Sequence, residues 1–475
     1  MRPRTKLLMN IVLLVAPGLT PLIPVWALPH LSAFLKARGH RVKLLDYNAG
    51  YGIPMPHQGG LWWDLAYAEK YFSSHPETKQ RLLCDILSFQ PDLVGFSVFK
   101  CCAGSSMYLG RELKAMKKPP LVVFGGPQAC RLPRESAFAD ALVPAEGEKA
   151  MLDLIDLAEK RRPWGPVPGA IMLRGAEACY GGPPEEVQDL DSLPMPDFTG
   201  VDASPYSTKM TPFSFNRGCR NKCRFCTSCS LWPGFRSHSA KRIYEEMLHL
   251  KRNHGAGHMF ASCTAVNLDR GILDELCDRI IAGGEALSWE GLAVFHPGLN
   301  VPLLKKMAKA GCHYLSFGLE SGSDTVLERM GKPFTAAVAA QVMRDAFAAG
   351  VDIGVNIILG FPGETEQEIE ETKAFLVENN KYLFGGISYP HECGIGGRSP
   401  MCFAPEEYGV NPATLENRLS WESADGKLTH QTRLERIRSF VEWARAAGIK
   451  IQDDPIAPPD VHTDTPHDPP LYGPT

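Results

Sequence analysis

The chain has no surplus of positive charge: 50 Lys and Arg stand against 53 Asp and Glu, for a formal charge of −3. A general nucleic-acid binder needs cations to neutralise phosphates, so that class is excluded. No apolar run reaches bilayer length, which argues against a membrane protein. The one stretch that misleads, Leu7 to Ala16 behind Arg2, Arg4 and Lys6, resembles a short signal peptide but reads equally as a buried parallel strand. The 14 cysteines form no repeating framework, which excludes a disulfide-stapled secreted scaffold and fits a reduced, cytoplasmic protein. No internal repeat occurs beyond an alternation of strand and helix. What is left is ordinary globular composition, 44% hydrophobic and 22% charged, over 475 residues, enough for two or three domains.

The segment after Ala16 decides for the strand. Trp26 to Arg38 puts Leu28, Leu31, Phe34 and Leu35 on one helical face, Gly39 follows as a C-cap, and Val42 to Asp46 reads as a second strand. Leu93–Val98, Leu121–Phe124 and Ala141–Val143 are further short apolar strands, with helices from Ser105 to Met116 and on to about Glu159. Five such strands predict an α/β domain with a doubly wound parallel sheet, Rossmann-like, over residues 1–160. Ligands meet such sheets at the carboxyl ends of the strands. Those ends carry Pro17 to Pro24, Ser97 to Ser106, Gly125-Gly126-Pro127 and Glu146-Gly147. Composition alone gives a nucleotide- or cofactor-type site, or a structural domain whose glycines make turns.

Residues 161–210 are rich in Pro and Gly and read as a linker with one short strand near Ala170 to Leu173. Strand–helix units then resume over 211–390. Strands are expected at Phe213–Asn216, His258–Ser262, Leu287–Val294, Tyr314–Gly318, Val351–Leu359 and Leu383–Ser388. Six units predict a partial, open (β/α)6 barrel, whose chemistry sits at the carboxyl ends of the strands. One end carries Glu320 and Ser321, another Asn356 before Gly360-Phe-Pro-Gly363. The plain alternatives are a carboxylate at a helix N-terminus and a tight turn. Residues 391–475 read as a C-terminal extension. Its Gly-rich stretch to Tyr408 fits a lid or a surface crossover, Leu434 to Ala446 a helix, and the part from Asp453 a disordered-looking tail.

The first barrel strand runs into Phe215-Asn-Arg-Gly-Cys-Arg-Asn-Lys-Cys-Arg-Phe-Cys226. Cys219, Cys223 and Cys226 are spaced Cys-x3-Cys-x2-Cys, and three thiolates on one loop can hold three irons of a [4Fe–4S] cluster, leaving the fourth open. Structural zinc is the alternative, with Cys229 as a fourth thiolate. Zinc knuckles pair two Cys-x2-Cys hooks across a gap, whereas these four cysteines fall within eleven residues.

This spacing resembles the signature of radical S-adenosylmethionine (SAM) enzymes. With the preceding α/β domain and the link Asp191-Ser-Leu-Pro-Met-Pro-Asp197, residues 6 to 390 resemble the cobalamin-binding radical SAM family. The resemblance implies three cofactors: a [4Fe–4S] cluster on the three cysteines, SAM near Glu320, Ser321 and Asn356, and cobalamin bordered by Ser97, Gly125, Gly126, Pro127, Glu146 and Gly147. The Asp-x-His-x-x-Gly motif of many cobalamin domains is absent, and by analogy Phe99, Lys100 or Cys101 lies beneath the corrin. The second and third barrel strands end in Ala261-Ser-Cys-Thr-Ala-Val-Asn267 and Val294-Phe-His-Pro297, where relatives place acidic residues and an Arg. The implied activity is C-methylation of an unactivated carbon in a small-molecule or peptide substrate, with flavodoxin or ferredoxin as electron donor. Oxidative cyclisation or ring rearrangement with the same cofactors is the alternative enzyme, and a cobalamin- or zinc-binding sensor the non-enzyme. No residue is singled out as acid or base. Methylthiotransferases are disfavoured by the missing N-terminal cysteine trio and basic RNA module.

Overall fold

A computed structural model of the chain describes residues 8–452 apart from 19–22, 49–50, 55–60, 136, 176, 203–205, 207, 229–231, 233, 398 and 416–417. Leu7, Cys229, Arg398 and the tail from Asp453 therefore lie outside the described residues. The chain divides into two units, the first running to Pro212 and the second starting at Phe213, with Arg252–Gly255 joining the first.

The first unit is built on strands whose side chains are buried on both faces, as parallel strands require. In β1 (Asn10–Val15) the last five residues are all buried. It is joined by β2 (Arg41–Asp46), β3 (Leu93–Ser97), β4 (Leu121–Gly125) and β5 (Ala141–Val143) in the order β2-β1-β3-β4-β5, all neighbours parallel. That is the doubly wound pattern, with its topological switch between β1 and β3. Phe34 and Leu35 of helix Ala27–Lys36 and Leu154 and Ile155 of helix Glu148–Ala158 pack with Ile11, Leu13 and Val123 in one core.

Two features depart from expectation. The segment 161–210, read as a linker with one short strand near Ala170 to Leu173, supplies that strand as β6 (Ile171–Arg174) and adds an unanticipated β7 (Glu177–Tyr180), and the two extend the sheet antiparallel beyond β5. The physical reason is edge protection: Ile171, Met172 and Leu173 are buried and cover the open side of β5. The sheet is thus mixed rather than purely parallel. Helices Leu65–Ser74 and Pro76–Leu87, not anticipated, carry the chain from β2 to β3. They are anchored by Trp62, which is fully buried and meets Tyr71 edge-on at 4.8 Å. A Cβ on Gly104 would strike the Asp64 backbone, so the helix Ala103–Lys114 depends on glycine to pass this segment.

In the second unit, β8 (Met210–Ser214) leads into a short antiparallel hairpin of β9 (Asn216–Arg217) and β10 (Arg236–Ser237), with the cysteine loop between them. The sheet continues through β11 (His258–Ser262), β12 (Trp289–Ala293), β13 (Cys312–Glu320), β14 (Asp352–Leu359) and β15 (Gly386–Ile387), in the order β15-β14-β13-β12-β11-β8. From β11 to β15 every neighbouring pair is parallel. This six-position sheet, wound with helices, is the partial barrel expected. The helices are fixed by local chemistry. Asn300, Thr335 and Thr365 cap N-termini through side-chain oxygens, and Gly284, Gly331 and Gly350 end helices in the left-handed conformation. A further short strand, β16 (His391–Glu392), pairs with β14, and helix His430–Ala446 closes the described chain. Among the described residues no helix is long and apolar enough to cross a membrane.

Candidate cofactor site

The cysteine loop is held before it is loaded with anything. Gly218 has φ +80°, a region side chains rarely adopt, and its carbonyl accepts a 2.5 Å bond from Thr264 Oγ1 at the end of β11. Asn216, buried beside it, donates to Ala265 O at 2.8 Å. Within the loop, Asn221 N points at Cys219 Sγ and Ser228 N at Cys226 Sγ, each at 3.4 Å. Backbone N–H groups aimed at sulfur favour thiolate and tune a cluster bound there. Burial, and beyond it the other two thiols and Glu320, push the Cys223 thiol up to about 11, while Lys332 pulls it down.

Three thiols that feel one another electrostatically on one loop fit a cubane. Each thiolate binds a different iron of the cube, so the sulfurs stand apart. A single zinc would draw its ligands to one point.

The end of β13 brings a carboxylate to the same place. Its pairing with β14 slips between Gly318 and Glu320, and Glu320 takes φ +68°. A bulge of this kind re-aims a side chain. Glu320 is thereby paired with Lys332, Nζ to Oε1 3.0 Å, and both side chains are buried. Burial lowers the Lys332 pKa, but Glu320, Cys223 and Cys226 together raise it above its ordinary value. The other two expected positions are more committed to the fold. Ser321 Oγ bonds Thr372 Oγ1 at 3.0 Å and accepts from Ser323 N at 3.1 Å, while Asn356 Oδ1 accepts from Ser388 at 2.7 Å. Ser323 Oγ is buried and has no partner among the described residues. His296 Nδ1 accepts from Gly298 N at 2.9 Å, a turn-stabilising role, and burial with Arg270 nearby depresses its pKa.

The segment expected as a lid packs on this loop. Cys393, Ile395, Met401, Val410, Trp421 and Leu428 form a core with Val326, Met330 and Phe361, against which Phe225 of the cysteine loop rests. Its keystone is Arg433, fully buried, stacked 4.0 Å over Trp421 and bonded to Glu392 Oε2 at 3.1 Å. Sequence reading missed Lys332, Arg224 and Arg433. A cation twelve residues after Glu320 was the one available signal, and it needed the intervening helix Asp324–Met330 to bring it back.

In the first unit the expected residues do line the carboxyl ends of β3, β4 and β5. Ser97 is buried, Lys100 and Pro127 are exposed, and Glu146 is buried with Oε2 accepting from Val187 N at 3.2 Å. Gly147 caps helix Glu148–Ala158. The two glycines differ in what they serve. Gly126 has φ +95°, and a Cβ there would lie 2.9 Å from Val98 O, so the turn requires it. At Gly125 a Cβ would meet only ordinary contacts, 3.5 Å to Phe96 O and 3.7 Å to Val143 O. The fold leaves room at that strand end. The thiols of Cys101 and Cys102 interact in the loop after β3: the bond from Cys102 lowers the Cys101 pKa, and the same bond with burial raises that of Cys102.

Residues 213–376 match the Radical SAM superfamily. An uncharacterized methyltransferase of Pyrococcus horikoshii is 29% identical over 61% of this chain and 65% of its own length. The anaerobic magnesium-protoporphyrin IX monomethyl ester cyclase of Cereibacter sphaeroides is 27% identical over 63% of this chain and 51% of its own. The chain thus spans between half and two thirds of these relatives. Among solved structures, the radical SAM methyltransferase TsrM of Kitasatospora setae, with cobalamin and a [4Fe–4S] cluster bound, superposes with TM-score 0.65 at 18% identity, over 87% of this chain and 77% of that one. The cobalamin-dependent radical SAM enzyme OxsB gives TM-score 0.63 at 17% identity, over 92% and 62%. At such identities the likeness establishes the fold: a Rossmann-like unit followed by a radical SAM barrel.

Proposed function

We propose that this member of the radical SAM superfamily is a cobalamin-dependent methyltransferase that acts on an unactivated carbon of a small-molecule or peptide substrate. The observation that carries the reading is the cysteine loop at the mouth of a six-strand barrel, with a buried Lys332–Glu320 pair beside it, in a chain that also has a doubly wound sheet. When bound, the cluster with SAM supplies a 5′-deoxyadenosyl radical, and methylated cobalamin supplies the methyl group.

The chain's own residues place these groups. Cys219, Cys223 and Cys226 would hold the cluster through their thiolates. Lys332 and Glu320 carry opposite charges, the complement of the carboxylate and ammonium of SAM, and they are buried, so each charge acts with little screening. Asn356 and Ser321 shape the strand ends next to them. In the first unit Ser97, Gly125, Gly126, Pro127, Glu146 and Gly147, together with the loop from Phe99 to Cys101, would hold the corrin. Gly125 supports this best, because the fold itself gives no steric reason for a glycine there.

The test is anaerobic reconstitution with iron, sulfide and hydroxocobalamin, followed by optical and EPR spectra and product analysis. Retention of both groups and formation of S-adenosylhomocysteine with 5′-deoxyadenosine in step with methylated product support the reading. A preparation that holds neither group overturns it. Deoxyadenosine without S-adenosylhomocysteine moves the assignment to a cyclase or ring-rearranging enzyme, the alternative favoured by the 27% identical cyclase. An acidic one-electron carrier, flavodoxin or ferredoxin, is the proposed reductant, and the cytoplasm the proposed compartment.

A further inference from the structure

Arg224 lies between two cluster cysteines, yet its contacts are made outside the loop. Its N–H donates to Met330 O at 2.9 Å, and its carbonyl accepts from Met401 N at 3.0 Å. Its guanidinium donates to Tyr408 Oη at 3.3 Å and lies 5.8 Å from the centre of that ring. One side of the loop is therefore tied to the helix that follows Glu320, the other to the segment after β16. Tight packing continues on either side. A Cβ on Gly331 would approach Arg224 Nε at 3.2 Å and Lys222 O at 3.3 Å. A Cβ on Gly396 would strike Thr227, and Phe225 rests on the core of Met401 and Trp421.

We infer that Arg224 and Tyr408 are positioning residues for the cluster, and that the described residues between His391 and Tyr408 form a fixed clasp on the cysteine loop rather than a moving cover. The inference rests on the proposed cluster at Cys219, Cys223 and Cys226. The physical case is one of pre-organisation. A loop of glycine and small turns loses entropy when three of its side chains are fixed on irons. Ties made through Met330, Met401 and Tyr408 remove part of that freedom in advance, so the thiolates close on the irons with less ordering. The clasp is itself rigid. Met401 is the buried second residue of the helix Pro400–Phe403, whose N-cap Ser399 accepts from Cys402 N. Behind it Trp421 Nε1 donates to Cys393 O at 2.9 Å, and Arg433 bonds Trp421 O at 2.8 Å. Arg433, Trp421 and Cys393 are thus linked by hydrogen bonds, and Cys393 belongs to the core on which Phe225 of the loop rests.

The experiment uses the full-length protein, reconstituted anaerobically, with Tyr408→Phe, Arg224→Gln and the pair combined. Tyr408→Phe deletes a single hydroxyl and keeps the ring, so folding is preserved. The readouts are iron per chain, the rate at which a chelator strips iron, and the EPR line of the reduced cluster with and without SAM. Loss of one long, solvent-exposed hydrogen bond predicts iron release about three- to tenfold faster for each single variant. The double variant should be no worse than the faster single, because the residues act as one unit. The SAM-dependent change in the EPR line should be altered, a signature that a general loss of stability would not produce. Wild-type release rates with an unaltered EPR line in all three variants overturn the clasp. Failure of the wild-type protein to take up iron overturns the cluster reading itself, and the clasp with it.

Discussion

Lys332 Nζ sits 3.0 Å from Glu320 Oε1, and the two side chains are only 9% and 10% exposed. An ion pair this far from solvent is held by its partners, since neither charge can fall back on water. The Lys332 ammonium also lies 5.8 Å from the Phe225 ring and 5.7 Å from that of Phe334, so aromatic faces share in its support. The cost of the arrangement is visible in the backbone: Glu320 is the one strand residue among those described that is not glycine and has positive φ. The strained backbone aims this carboxylate to where it acts on the Cys223 thiol, an outlier of the kind that clusters at functional sites.

Lys332→Met is expected to destabilise the barrel by about 3–5 kcal/mol, because it strands the buried Glu320 carboxylate. Thermal denaturation of the reconstituted protein reads this out as a fall of roughly 10 °C. Adding Glu320→Gln should restore most of the loss. If the double variant is no better than the single, the two residues do not act as a pair.

Gly125 and Gly126 separate fold from ligand at the end of β4. Gly126→Ala forces a side chain into φ +95° and against Val98 O, and is expected to cost about 1–3 kcal/mol. Gly125→Ala meets only ordinary contacts, so its melting temperature should match wild type within a degree or two. Cobalamin retention after gel filtration should nevertheless fall in Gly125→Ala if corrin approaches that strand end. Unchanged retention in Gly125→Ala would remove β4 from the cofactor's border.

The strands that position the site were legible because each is a short apolar run closed by glycine or a polar turn, and β11 and β5 fall at the expected bounds. The thiol spacing was legible for the same reason: it is local. What escaped was non-local or masked by composition. Strand β7, which follows the anticipated β6, hides among prolines and glycines that signal a connector. Helices Leu65–Ser74 and Pro76–Leu87 each bury only two side chains, leaving too narrow a stripe to recognise. Lys332, Arg224 and Arg433 gain meaning only from partners 12, 184 and 41 residues away. The slip in the β13–β14 register that turns Glu320 inward has no sequence signature of its own.

Cys223→Ala removes one corner ligand of the proposed cube. Iron bound after anaerobic reconstitution is expected to drop from about four per chain to near background, and deoxyadenosine release should cease. Cys229→Ala, in contrast, should keep both. A protein that loses its metal with Cys229 but binds one zinc with it would instead support the four-thiolate reading.

Glu364 gives a pH dependence with a defined sign. It follows β14 in the turn Gly360–Gly363, is buried, and accepts from Gly360 N at 2.6 Å. Burial raises its pKa from 4.5 to about 7, against the pull of the Gly360 N–H bond and of Arg436, with Glu368 pushing up and Arg329 pulling down. Arg436 Nη1 stands 4.0 Å away on helix His430–Ala446, and the Cys393 thiol, raised by burial, also feels this carboxylate. The unfolded carboxyl titrates near its ordinary value, so between about 4.5 and 7 the folded state binds the extra proton. Stability then falls as pH rises through that window and levels off above it. The contribution is fully present at low pH and amounts to roughly 3 kcal/mol across the window. Glu364→Gln keeps an acceptor for Gly360 N without the titration. Its melting temperature should be flatter than wild type between pH 5 and 8 and higher at pH 8. Parallel curves for the two proteins would mean that the carboxylate is charged throughout, stabilised by Arg436 and Arg329 beyond what their distances imply.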